Sequence, residues 1–442
     1  MPRPKNTAKN SKNNGRKMIY YKSVGTQILD NSRQKLINIS KSDQLTQTNN
    51  HYSIDNDMTF TISILIFGLS YQIARNVFNF NGIEVCSEKT FYKYQNQISP
   101  IIIQMAKESA KNFSEKIEND TIISIDGAWD HRRHGTACIV TFIDIKTRKI
   151  IDFEISTTPK QFVHGNTNEC SRNLEKVSIE KLVERWKHSQ KFKYYIHDND
   201  GVTRNIINNS GWKIIEILDV GHALKSLKKN LEKFNKREGK PFNGLIESMN
   251  RYLNSLFRNN SISTQKRIDL YYHMPEHYTG NHSHCIHNNN TKLRLYSGSN
   301  KTYFKEKLNK FLKENDHYAQ KINPNYNTQN NECFNRLKTK FLSKNIKYST
   351  SIELRLSEAV LEWNDENWTN KLMEKLNIDK KNSINQFINS RKQSQKKKNE
   401  KKRTEPFKES RRKERNAKLS KKINQNKKAN GYKPNAKKLS FN

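Results

Sequence analysis

Between residues 121 and 219 the hydrophobic pattern alternates between two periods. The stretch TIISIDGAW opens it: Ile122, Ile123 and Ile125 follow Thr121 and run into Asp126 and Gly127, which predicts a buried strand over 121–126. ACIVTFIDIK at 137–146 and KIIDFEIS at 149–156 predict two more strands, joined by a tight turn at Lys146-Thr147-Arg148. With the first they form an antiparallel meander. Leu174, Val177, Ile179, Leu182, Val183 and Trp186 then recur at helical spacing over 174–188. A fourth strand at 192–197, a short helix at 201–208 and a fifth strand at 212–218 complete the run. Strands broken by helices after a meander predict a mixed α/β sheet.

The flanks read differently. Residues 1–55 are rich in Asn, Lys, Ser and Gln, which predicts a disordered basic tail, either a DNA-contacting arm or a solvated segment without a role. Over 56–118 the pattern is helical. Ile62, Ile64, Leu65 and Ile66 share one helix, Gly68-Leu69-Ser70 ends it, and Ser70 caps a second helix over 71–78. Ser87 caps a third, and Pro100 is placed to open a fourth. A short helix, a turn and a helix presenting Lys89 and Lys93 fit a helix-turn-helix-like DNA-binding region; a plain helical bundle fits as well. From 220 to 325 no strand pattern occurs, and 106 residues are too many for a structureless loop, so a helical insertion subdomain is expected. Core helices at 326–378 follow: one from Asn330 to about Lys344, capped by Thr328 or Asn330, and one over 349–373. A disordered basic tail is expected at 379–442.

Charge narrows the partners. The 442-residue chain has 81 Lys and Arg against 43 Asp and Glu, a formal charge of +38. From Arg391 onward the tail alone has 21 Lys and Arg against four Glu. Such an excess favours a polyanion, first of all nucleic acid. Mean hydropathy is −0.98, and no apolar run approaches the ~18 residues of a membrane span. Five irregularly spaced cysteines imply no disulfide framework.

Candidate chemistry begins at Asp126. An aspartate at the end of a buried strand is costly unless paired, and a divalent cation becomes the natural partner once other carboxylates converge on it. Asp198 and Asp200 follow the fourth strand, and Glu332 opens a later helix. Each has an ordinary alternative: a turn before Gly127 for Asp126, a helix cap for Asp200, and a helix-dipole partner for Glu332. Which of Asp198 and Asp200 serves stays open.

Three motifs together resemble those of DDE transposases, within them the Mutator-like group and its Kolobok-like relatives: SIDGAWDHRR at 124–133, HDND at 197–200 with LDVGH at 218–222, and TQNNECFNR at 328–336. The stretch at 68–98 is similar to the helical region preceding the catalytic core there, and HYTGNHSHC at 277–285 looks like part of the insertion. The element order is also that of a ribonuclease H-like core. The resemblance implies cut-and-paste DNA transposition, with Asp126, one of Asp198 or Asp200, and Glu332 holding two Mg²⁺ or Mn²⁺ ions. It implies double-stranded DNA partners (terminal repeats and target), a homodimer or higher oligomer, and residence in the nucleus if the host is a eukaryote; the lack of a long apolar run or an amphipathic basic helix leads to the expectation of no membrane partner. Trp129, His131, Arg132 and Arg133 would sit beside the metals and could contact DNA; Trp129 alternatively belongs to the core. Asp219-x-x-His222 resembles the Cys/Asp-x-x-His motif of these enzymes, and with His282-x-x-Cys285 it could form a structural Zn²⁺ site joining insertion to core. His284 and His287 are also available, and a hydrogen-bonding histidine cluster is the alternative. The competing functions are a catalytically inactive, transposase-derived DNA-binding protein and a structure-selective nuclease on the same fold.

Overall fold

The computed structural model describes residues 53–430 except 132–134, 159–166, 168–169, 171, 286–294, 347, 349 and 379–381. The expected N-terminal tail up to residue 52, Arg132, Arg133 and His287 therefore lie outside the described residues.

Three helices come first: α1 (Ser53–Phe67), α2 (Tyr71–Phe80) and α3 (Glu88–Ser114). Gly68 separates the first two at φ +68°, a conformation that costs glycine little. Ser70 and Ser87 cap α2 and α3 by accepting from the backbone N–H of Ile73 and Thr90. Pro100 does not open a fourth helix as expected; it lies inside the continuous 27-residue α3. It and Asn96, whose carbonyl loses its intrahelical donor, are both on the solvent side, so water can replace the missing bond.

The sheet comprises β1 (Thr121–Trp129), β2 (Ala137–Asp144), β3 (Ile150–Thr157), β4 (Phe192–His197) and β5 (Ile215–Leu218), with α4 (Leu174–Trp186) and α5 (Gly201–Asn209) between the later strands. Its order is β3-β2-β1-β4-β5. The first three strands pair antiparallel as the turn predicts, and β1–β4 and β4–β5 pair parallel. Every residue of β2 is buried, because both faces are covered. On one face Ile139, Ile143 and Phe153 pack with Ile98 and Ile102 of α3 and with residues of later helices. On the other, Ile123, Val140 and Phe142 meet Leu174, Ile179 and Leu182 of α4.

Helices follow β5: α6 (Val220–Arg237), α7 (Ile246–Arg258), α8 (Thr264–Tyr272), α9 (Met274–Tyr278), α10 (Lys301–Glu314) and α11 (Asp316–Lys321). They enclose a core of their own around Leu227, Leu231, Phe257, Tyr271 and Phe311. The chain then returns to the sheet through α12 (Gln329–Phe341), α13 (Ile352–Asn364) and α14 (Trp368–Lys375). The single helix expected over 349–373 is thus two, interrupted after Asn364, whose side chain bonds Ile150 N and O at 2.9 and 2.8 Å.

The basic tail departs from expectation. Residues 382–430 form α15 (Asn382–Arg403) and α16 (Glu405–Asn430), not a disordered chain. Lys, Arg, Gln and Glu are good helix formers, and Glu409–Lys413 and Glu414–Lys418 pair one turn apart. Among the described residues no single helix is long and apolar enough to cross a membrane.

Candidate active site

Asp126, Asp198 and Asp219 come from the same end of the sheet because of how β1, β4 and β5 pair, although among the described residues only Asp198 and Asp219 share a ligand group. The parallel pairing of β1 and β4 ends at Ser124 and Ile196. β1 runs on past it to Trp129, three residues further than expected, carrying Asp126 opposite Thr141 of β2. Asp198 follows the end of β4 on the same side. Asp219 follows the end of β5, the next strand along.

Burial pushes the Asp126 carboxyl up to about 7, and the charges of Asp198 and Glu175 add to it. Two donors work against the rise: Asn335 Nδ2, which donates to Asp126 Oδ2 at 2.8 Å, and the Gly127 N–H. Asp198 is raised too, by burial first and then by the charges of Asp219 and Glu332. His222 and the Thr328 hydroxyl, which donates to Asp198 Oδ1 at 2.9 Å, oppose that shift. Glu332, in the first turn of α12, is thus electrostatically coupled to Asp198 while its side chain stays half-exposed, 3.8 Å from Arg336.

Asp198 and Asp200 separate by role. Asp200 is the N-cap of α5, accepting from Thr203 N and Thr203 Oγ1 at 2.9 and 3.0 Å. Asp198 instead joins Asp219 and His222, three residues whose ligand atoms all lie within 4.8 Å of one another. His222 Nδ1 is 3.1 Å from Oδ1 of each aspartate. Asp219 also caps α6 and accepts from Thr328 N at 3.1 Å. Burial tends to raise Asp219, but the bonds from His222 and Thr328 outweigh it and hold the carboxyl below its usual value.

This grouping corrects the zinc expectation. Asp219, His222, His282 and Cys285 do not form one cluster; the second pair groups with His277 instead. The reason is topological. Asp219 sits at the end of β5 beside β4, so it and His222 belong to the acid-bearing edge of the sheet.

Sequence reasoning missed several neighbours of Asp126. Glu175, in the first turn of α4, accepts from Trp129 Nε1 at 3.2 Å. Burial raises it, with the charges of Asp200 and Asp198 adding. It lies so close over β1 that a Cβ on Gly127 would fall 2.3 Å from Glu175 Oε1, which explains the glycine after the aspartate. On α12, Asn331, Asn335 and Lys338 form the stripe that faces β1. Asn331 bonds Ser124, and the buried Lys338 ammonium bonds the carbonyl of Trp129. Burial lowers Lys338 to about 8, the nearby Lys344 charge lowering it further, while Asp130 and Asp126 counteract. Thr328 was expected as a helix cap; its hydroxyl serves Asp198 instead, and no side-chain cap forms. The motif TQNNECFNR pointed to this stripe, whereas Glu175 carried no signal beyond being an acid near a helix start.

Lys89 and Lys93 are exposed on the first turns of α3. Trp129 is partly buried, and His131 Nδ1 lies 3.1 Å from the Lys344 carbonyl.

A family model described as Mutator-like transposase matches residues 35–291, more than half of the chain. The chain belongs to the Mutator-like transposases. No curated protein matches it. The match includes Asp126, Asp198, Asp219 and the His282–Cys285 stretch, but it ends before α12. In this Mutator-like transposase Glu332 lies beyond the matched residues, and its charge is one of those that raise Asp198. Membership makes the chain, in general terms, one of a group of nucleic-acid-processing enzymes.

Proposed function

We propose that this transposase cleaves and rejoins DNA at the ends of its element by two-metal catalysis, using Asp126, Asp198 and Glu332. The observation that carries the reading is that acids from β1, the end of β4 and α12 lie toward one end of the sheet: burial raises both Asp126 and Asp198, the Asp198 charge raises Asp126 further, and the Glu332 charge raises Asp198 further. Like charges are gathered in this way at a fixed point when a cation is meant to neutralise them. The donor set fits: carboxylate oxygens suit hard ions such as Mg²⁺ or Mn²⁺ better than soft ones. The strand order β3-β2-β1-β4-β5, with its antiparallel meander and parallel additions, supports a ribonuclease H-like core, with α6–α11 as an insertion before α12.

Bound divalent ions would supply an activated water or 3′-hydroxyl and stabilise the departing oxygen. The protein's own groups have simpler tasks. Asn335 and the Gly127 amide hold the Asp126 carboxylate in one orientation. Thr328 and His222 do the same for Asp198. Glu175 and Trp129 close the side of the site next to β1. The basic helices α15 and α16 and the lysines of α3 offer charge for the DNA backbone.

The test uses labelled duplexes bearing the ends of the element together with a target plasmid. Mn²⁺- or Mg²⁺-dependent cleavage followed by joining of the new 3′ end is expected. Asp126→Asn and Glu332→Gln should each lose cleavage with duplex affinity within about twofold. Cleavage that survives both changes overturns the site assignment. Cleavage without joining identifies a nuclease, and binding without either identifies an inactive descendant.

A further inference from the structure

One cluster of side chains away from the sheet has no part in that chemistry. His277 lies near the end of α9, and His282 and Cys285 lie in the turn that follows, beside the core formed by α6–α11. Each offers a ligand atom, and the three atoms lie within 4.8 Å of one another. His277 Nδ1 is 3.2 Å from Cys285 Sγ, and His282 Nδ1 is 3.6 Å from the same sulfur. The two imidazole rings stand 4.8 Å apart and perpendicular, at 89°. Zinc held at its usual distances from sulfur and nitrogen, with tetrahedral angles, places those atoms about 3.5 Å apart. The two separations bracket that value. Both imidazoles direct Nδ1 toward the same sulfur, as ligands converging on one ion require.

We infer that His277, His282 and Cys285 bind one zinc ion, with water in the fourth position. The mixed nitrogen and sulfur donor set selects zinc over the hard ions suited to the acid site. Its place in the fold states its task. His277 is 1% exposed and packs its ring 4.8 Å from that of Tyr252 in α7. Cys285 and His282 belong to the turn leading away from α9. An ion shared by the three would fasten that turn to the helical core. This inference does not depend on the cleavage reading, because neither its residues nor its donors are shared with Asp126, Asp198 or Glu332.

The experiment measures metal in the full-length chain, purified from zinc-containing medium and passed over a chelating resin. About one zinc per chain is expected, falling below about a tenth in Cys285→Ser and in His282→Ala, and unchanged in Asp198→Asn. Circular dichroism checks that the variants keep their helices. A second measurement needs no change at the site. Cobalt exchanged into a chain carrying Cys170→Ser and Cys333→Ser should show the intense visible bands of a tetrahedral ion and one thiolate-to-cobalt band in the near ultraviolet. Zinc-free wild-type protein without a cobalt band overturns the inference. So does zinc that survives loss of Cys285 but leaves with Asp198.

Discussion

The two clusters of candidate metal ligands in this molecule are built in opposite ways. The acid cluster at the sheet edge is assembled across long distances: 130 residues separate Asp198 from its partner Thr328, and 209 separate Asp126 from Asn335. The nitrogen and sulfur cluster in the helical core is local, gathered within the nine residues from His277 to Cys285. The acids depend on the sheet being formed and on α12 docking against it. The histidines and the cysteine need only α9 and one turn. A site of the first kind exists only in the finished fold; a site of the second kind could help to finish it.

Separating the two by mutation should give the largest effect. Asp126→Asn should lower cleavage by about 10³-fold while leaving the zinc content of the chain unchanged. A loss of both would show that the clusters are coupled. Next comes the support of the acids. In Gly127→Ala the new methyl must displace the Glu175 carboxylate, which lies 2.3 Å from the Cβ position. Cleavage should fall by about tenfold with little change in duplex binding, since the effect falls on the orientation of the acids and not on the DNA-facing charge. Unchanged cleavage would remove Glu175 from the site. Ion binding itself should be visible as stabilisation. Millimolar Mn²⁺ should raise the melting temperature of the wild type by a few degrees through mass action, and Asp126→Asn should abolish the rise. A rise that persists in the variant would place the ion elsewhere.

The smallest effect serves as a control outside both clusters. Glu358 is fully buried on α13 beside Arg355 and is raised to about 8, chiefly by burial, with Arg355 lowering it. Its folded value lies above its unfolded value near 4.5. The protonated form is therefore the one the fold favours, and its contribution is complete below about pH 4.5 and lost as pH rises through 8. Glu358→Gln should flatten the fall in melting temperature between about pH 5 and 8 without moving cleavage or zinc content. An unchanged slope would assign that fall to other groups.

The contrast between the clusters also explains what the sequence made legible. Strand and helix positions from 121 to 218 follow from periodicity, and the structure has the strands and helices expected there with shifts of a few residues at their ends. The three proposed acids could be named because strand ends and a helix start expose them. Their helpers could not. Thr328 looked like a cap, and only the docking of α12 turns its hydroxyl to Asp198. Glu175 sits among ordinary residues of an amphipathic helix, and only the packing of α4 over Gly127 brings it to Asp126. The zinc reading failed for a related reason. Two pairs of plausible ligands invited a single site, but adjacency of β4 and β5 claims Asp219 and His222 for the acid edge. Pro100 misled in the opposite direction: its rule is local, and exposure on a long packed helix was enough to override it.

The late position of α12 has one more consequence. During synthesis the sheet strands, and with them two of the three acids, leave the ribosome long before Glu332 does. If all three are required as proposed, a nascent or prematurely terminated product ending before α12 could offer DNA the lysines of α3, without the later basic helices α15 and α16, yet never cut it. The order of the parts along the chain would then act as a safety catch, released only when translation has passed the last of them.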